Sequence, residues 1–158
     1  MRGCFKVGLY RQGLLHDLSK YSWTEFHIGA KYYQGTRSPN NEEREETGLS
    51  TAWLHHKGRN KHHFEYWTDV DKSGSIIPID MPPKYFAEMV CDRVAASKVY
   101  KGKNYTDACP LEYFMGRKEN IFMHPETAKR LEYFLKLLAD KGEKALFSEL
   151  KDYVKKNK

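Results

Sequence analysis

One segment limits this chain more than any other: PPKYFAEMVCDRVAASKVY, residues 82–100. Two prolines suit the first turn of a helix, where a backbone N–H would have no partner. The residues after them run without a breaker for about five turns of amphipathic helix. Asp92 interrupts the most apolar part of that run. A lone buried carboxylate costs free energy unless something pairs with it. Arg93 points about 100° away around the helix, so it is a poor partner. Either another element supplies a cation to bridge Asp92, or Asp92 faces a polar site.

The rest of the chain reads as helices joined by turns, about six in all, and predicts an all-α fold. Residues 5–18 show a loose helical pattern weakened by Gly8 and Gly13. Ser22 and Glu25 fit a capping box that opens a second helix, closed by Gly35. TRSPNNEEREE is a turn and an acidic helix start, and the third helix is expected to continue through Leu49, Ala52, Trp53 and His56 to about Gly58. Residues 68–81 predict a loop with one short extended run at Ile76–Ile79. Beyond a connector containing Pro110, one helix starts near Pro125 and stops at Gly142, and a last one closes the chain. No two strand-like runs of useful length occur.

At 158 residues, 1–158 reads as a single domain with room for one sizeable core. No stretch approaches about 18 consecutive apolar residues, so no membrane partner is expected. The basic start lacks an unbroken apolar core and a small-residue cleavage site, which argues against a signal peptide. Cys4, Cys91 and Cys109 are odd in number and widely spaced, which argues against a thiolate zinc site or a disulfide framework. The chain therefore reads as cytoplasmic. A net charge of +6 favours an anionic partner. The charge is scattered, with Lys151, Lys155, Lys156 and Lys158 in the tail, so a solvated basic surface is favoured over a nucleic-acid footprint.

Five of the seven histidines fall in two places: His16 in GLLHDLSK, and His55, His56, His62 and His63 in WLHHKGRNKHHFEYW. On one continuous helix His55 and His62 would be about 10.5 Å apart, too far to share an ion. Gly58 and Asn60 make that continuity doubtful, so the second pair can fold back past a turn. Ordinary hydrogen bonding beside Trp53 and Trp67 is the plainer expectation for that pair. Asp17 lies near a helix C-terminus, where the macrodipole disfavours an anion. A divalent cation held with His16 would remove that objection, and a bridge to Lys20 would do so as well. His27 and His124 read as structural, the latter as a cap before Pro125.

His16-Asp17-Leu18-Ser19-Lys20 resembles the HD signature of the HD-domain superfamily, helical metal-dependent phosphohydrolases. Asp92 in VCDRVAAS resembles that superfamily's distal aspartate, and His55-His56-Lys57 resembles the HH motif of its multi-metal members. GLLHDLSKYSWTEF with AWLHHKGRNKHHFEYW is also similar to an uncharacterised bacterial and phage domain of unknown function, over roughly residues 3–100. The last third matches no motif. One departure stands out: the superfamily expects a metal-binding histidine before the HD pair, and residues 1–15 contain none. Either Met1 is an internal start that omits the helix bearing it, or His55, His56 or one of the second pair replaces it.

The resemblance implies a divalent-metal site of His16, Asp17, His55, His56 and Asp92, with His62 and His63 as a second tier. Nitrogen and carboxylate donors suit Mn, Fe, Co, Ni or Zn. It further implies a phosphohydrolase acting on a small phosphorylated molecule or nucleotide, with Lys20 meeting a phosphate as a point charge. Two other readings stay open: a degenerate nucleotide-binding module of the same fold, and an HD-type di-iron oxygenase.

Overall fold

The computed structural model describes residues 2–157. Met1, the start whose position bears on the absent histidine, and Lys158 of the basic tail lie outside the described residues. The expected all-α class is what the structure shows. Eight α-helices are present among the described residues: α1 (Arg2–Lys6), α2 (Tyr10–Leu15), α3 (Trp23–Lys31), α4 (Pro39–Thr47), α5 (Thr51–Arg59), α6 (Pro83–Lys101), α7 (Cys109–Met115) and α8 (Pro125–Lys156).

The core forms where α6 lies against α8 and α1. Phe86, Ala87 and Val90 of α6 pack with Leu131, Leu135, Leu138, Leu146 and Leu150 of α8, together with Cys4 and Val7. Each fully buried large apolar side chain contributes about 1.5–3 kcal/mol, so this seam dominates the fold. Gly142 breaks α8 with φ 77°, ψ 177°, so its two halves correspond to the two helices expected there. His124 caps it as expected, its Nδ1 accepting from the Glu126 N–H at 3.3 Å. At the start of α6, the Thr127 hydroxyl donates to Asp80 at 2.6 Å and accepts from the Met81 N–H at 3.0 Å. Arg130 reaches the same Asp80 carboxylate, which ties the entry of α6 to α8.

Several boundaries differ from the sequence expectation, each for a local reason. The loose first helix is two, because Gly8 adopts φ +81° between them. α2 then packs so closely on α1 that a Cβ at Gly13 would meet Phe5 Cε1 at 2.6 Å. The expected third helix is also two. Gly48 is left-handed (φ 83°) and closes α4, and Ser50 caps α5 by accepting from the Trp53 N–H at 3.0 Å. The 68–81 loop contains a small antiparallel hairpin, β1 (Thr68–Val70) with β2 (Ile76–Pro78), in which Asp69 faces Ile77. The Pro110 connector includes α7.

Glu43 governs the α4–α5 junction. It is 3% exposed and accepts from the Ser50 hydroxyl at 2.5 Å, the Thr51 hydroxyl at 2.7 Å and the Thr51 N–H at 3.1 Å. Burial raises its pKa, but these donors outweigh burial and hold it below its ordinary 4.5. Its stabilising contribution is therefore full above about pH 4.5 and fades as pH falls through the lower folded value. Replacing Glu43 by Ala is expected to cost about 2–4 kcal/mol of unfolding free energy in urea melts near neutral pH. The stability gap between wild type and Glu43→Gln should narrow as the melts are repeated at increasingly acid pH.

Candidate metal centre

The chain bends sharply where α2 ends. His16 follows the helix in extended conformation, and Asp17 adopts φ 58°, ψ 21°, the one positive-φ non-glycine among the described residues. That conformation costs of order 1–3 kcal/mol for a residue with a side chain. It carries the Asp17 carboxylate toward the histidines of the α5 region. A short 3₁₀ turn, Leu18–Tyr21, comes next and carries Lys20. α5 ends at Arg59, and Asn60 closes it by donating to the His56 carbonyl at 2.9 Å. Once that helix stops, His62 and His63 fold back beside His56, with ring centroids 6.2 and 4.7 Å away respectively.

Two ligand groups result, and they overlap. Asp17, His56, His62 and His63 form one; His16, Asp17, His62 and Asp92 form the other, with the ligand atoms of each lying within 4.8 Å of one another. Two N or O donors on opposite sides of an ion are about 4.2 Å apart, so only a small contraction is needed to bind. Asp17 and His62 belong to both groups. His56 Nε2 and His62 Nε2 each lie 3.4 Å from Asp17 Oδ1. His16 Nε2 is 3.5 Å from Asp17 Oδ2 and 3.3 Å from Asp92 Oδ1.

The opposite edges of these rings are held by carboxylates. Glu88, 5% exposed on α6, accepts from His16 Nδ1 at 3.0 Å and lies 3.3 Å from His62 Nδ1. Glu25 on α3 accepts from His55 Nδ1 at 2.6 Å and His56 Nδ1 at 2.7 Å. A carboxylate on one ring nitrogen fixes the tautomer and leaves the other nitrogen free to ligate, the usual support of a metal-bound histidine. Glu88 and Asp92 are four residues apart and share one face of α6.

The charge state follows from these contacts. Burial lowers the pKa of His16, but hydrogen bonds to Asp92 and Glu88 more than offset it and carry it up to about 10. Burial would raise Asp17, yet His56 and the Lys20 charge hold it well below the carboxylate range. Asp92, opposed by burial and supported by His16, is lowered to about 2. Glu88 and Glu25 are lowered against burial by the histidines they accept from. His63 is pushed down by burial and by His62. Three atoms of the first ligand group, Asp17 Oδ1, His62 Nε2 and His63 Nε2, are buried without a hydrogen-bond partner. Each such atom costs about 1–3 kcal/mol when nothing satisfies it. A divalent ion on N and O donors would satisfy all three, so the residues fit one.

The structure thus brings together His16, Asp17, His56, Asp92, His62 and His63. His55 lies in neither ligand group; its Nδ1 is committed to Glu25. Lys20 bonds Asp17 Oδ2 at 2.5 Å and remains 61% exposed. Asp92 has His16 as its partner, with no Lys or Arg bridge among the described residues. Ser22 makes no capping bond and Glu25 is turned inward, so the expected capping box is absent. Glu88 was not singled out in the sequence, although a second acid four residues before Asp92 on the same apolar face is a readable signal. Glu25 reads in the sequence chiefly as a cap, with a role as proton acceptor the lesser option.

A large cleft of about 1150 Å³ opens on the site at His62, His63 and Asp92. Arg44, Lys57, Arg93, Lys101 and Arg117 line it, and none of them makes a salt bridge among the described residues. Arg93 lies 6.0 Å from the Phe64 ring centroid, and its buried Nε has no partner.

Residues 1–137 match the Family of unknown function (DUF5662), and the chain belongs to that family. Neither a curated protein nor a solved structure matches it.

If Glu88 orients His16 and His62 for an ion, Glu88→Gln should weaken divalent-metal affinity by about 10–100-fold. Competition titration with a chromophoric chelator measures this. An equal affinity in the two proteins would mean that Glu88 has no part in positioning ligands.

Proposed function

We propose, for this member of a family of unknown function, a divalent-metal-dependent phosphohydrolase acting on a small phosphate ester or nucleotide. The observation that carries the reading is the pair of overlapping ligand groups sharing Asp17 and His62 at the foot of a basic cleft. The resemblance of His16-Asp17 and Asp92 to the HD signature supports the same reading. On that reading His62, one of the second histidine pair, would stand in for the histidine that the signature expects from an earlier helix.

Bound to such a set, a divalent ion would supply Lewis-acid polarisation of a phosphoryl oxygen and a water of lowered pKa. The chain's own residues do the rest. Asp17, His62, His56, His63, His16 and Asp92 would hold one ion or two, with Asp17 and His62 at the overlap. Glu88 and Glu25 keep the imidazole rings turned edge-on toward that position. Arg93 and Lys57 can neutralise and orient the anionic part of a substrate entering along the cleft. Lys20, paired with Asp17 and largely exposed, would meet a phosphoryl oxygen as a point charge.

The overlap of the two groups also fits a di-iron oxygenase, the second reading. Iron in place of zinc or manganese, with a mixed-valence paramagnetic signal, would favour it.

The decisive comparison is metal content and turnover on a panel of phosphate esters and nucleotides, for wild type and Asp17→Ala purified without chelator or nickel. Wild type is expected to carry metal and hydrolyse at least one ester, and Asp17→Ala to lose about 100-fold or more of that activity. Equal metal and equal activity in both would exclude Asp17 from the chemistry and sink the proposal.

A further inference from the structure

A second, smaller pocket of about 370 Å³ is lined by His62 and by Glu88, the acid that supports it. Arg11, Arg59, Lys61 and Lys84 converge on it from α2, the end of α5 and the start of α6. None of the four makes a salt bridge among the described residues. The pocket's one acid, Glu88, is already engaged by His16 and His62. Four like charges gathered in one concavity repel one another unless a counter-ion joins them.

Two further features shape this pocket. The first is the N-terminus of α6, a 19-residue helix whose N-cap, Pro82, makes no side-chain capping bond. Its first turn, at Lys84 and Tyr85, lines the pocket. Pro83 has no N–H and the Tyr85 N–H bonds the Pro82 carbonyl at 3.0 Å, so the helix adds the positive end of its dipole and the Lys84 N–H to the four cations. The second is the tyrosine that forms one wall. The Lys84 ammonium lies 4.8 Å from the Tyr85 ring centroid and that of Lys61 5.8 Å from it, so both flexible side chains rest on one apolar surface.

We infer that this pocket binds a small, multiply charged phosphate-type anion at a site separate from the metal centre. Arg11 and Arg59 supply planar forks and Lys61 and Lys84 point charges, a combination that suits tetrahedral oxyanions. Neutral donors are present as well, from Gln12 on α2. Because Glu88 borders the pocket and holds the two rings, a bound anion would sit directly behind the residue that orients His16 and His62. The inference does not depend on the metal site being catalytic.

The test uses the metal-free 158-residue chain, followed by amide chemical shifts in two-dimensional NMR. Inorganic pyrophosphate and a phosphate monoester are titrated separately at ionic strength matched with sodium chloride. These two arms distinguish a free anion from one carried on an alcohol. Saturable shifts are expected at the amides of Asn60, Lys61, Lys84 and Tyr85. In Arg11→Ser/Lys84→Ser, whose changed side chains are exposed, apparent affinity at those amides should fall by about tenfold or more with the melting temperature retained. Each single variant is titrated in parallel, so the outcome does not depend on the double variant folding. A control variant in the large cleft, Lys57→Ser/Arg117→Ser, should leave the shifts in place. Absence of saturable shifts at these four amides, or shifts unchanged in the pocket variants, would overturn the assignment.

Discussion

Glu88 is the interaction on which the centre depends. A carboxylate buried at 5% exposure in the most apolar part of α6 is unfavourable by itself. It is tolerated because two imidazole Nδ1 edges surround it, from His16 after α2 and from His62 after α5. Those two histidines come from segments that otherwise have little reason to meet. Fixing their Nδ1 edges turns both Nε2 atoms toward Asp17. Glu25 does the same for His56 from α3. The supporting acids thus decide where the nitrogens point, and the ligand geometry follows from them.

Charge makes the same demand from another direction. Asp17, Asp92, Glu88 and Glu25 are all held in their ionised form, facing Lys20 and a protonated His16. Lys20 reaches only Asp17. Without an ion, His16 keeps a proton between Asp92 and Glu88, which is the nearest substitute for a metal that the chain itself can offer. The left-handed backbone at Asp17 belongs to this balance. Strain at one non-glycine residue is sustained when the surrounding contacts over-determine it, and such residues cluster at functional sites.

Much of this was legible in the sequence, for identifiable reasons. α6 and the Gly142 break could be read because prolines, an uninterrupted amphipathic run and a glycine are local signals. His16, Asp17 and Asp92 stood out because a charged or titratable residue in an apolar run requires a partner. The division of the third helix could not be seen, since Glu43 and Ser50 meet only across the turn at Gly48. The choice between His55 and His56 was equally hidden. Adjacent helical residues point about 100° apart, and Glu25 accepts from both rings. Only the three-dimensional placement of α5 shows that it is His56 Nε2 that lies 3.4 Å from Asp17 Oδ1. His62 reaches the centre because α5 stops at Asn60, and that stop depends on the Asn60 side chain bonding both Ser19 and the His56 carbonyl.

The basic charge of the chain takes on a different meaning in three dimensions. Along the sequence its lysines and arginines look scattered, as on any solvated surface. Yet ten of the 27 line just two openings, Arg37, Arg44, Lys57, Arg93, Lys101 and Arg117 at the cleft and Arg11, Arg59, Lys61 and Lys84 at the pocket. Lys57, Arg59 and Lys61 apart, they are spread over many elements, so the sequence does not show them gathered. The two openings meet at His62, which lines both. A positive potential converging from two sides opposes a bare cation at the centre, and the surplus of carboxylates there offsets it locally. Lys20, which bonds Asp17 directly, and His16 apart, the arrangement separates charge by distance: carboxylates within a few ångströms of the ligand atoms, the ten arginines and lysines of the two openings farther out. That ordering suits an ion held at the middle and anions approaching from outside.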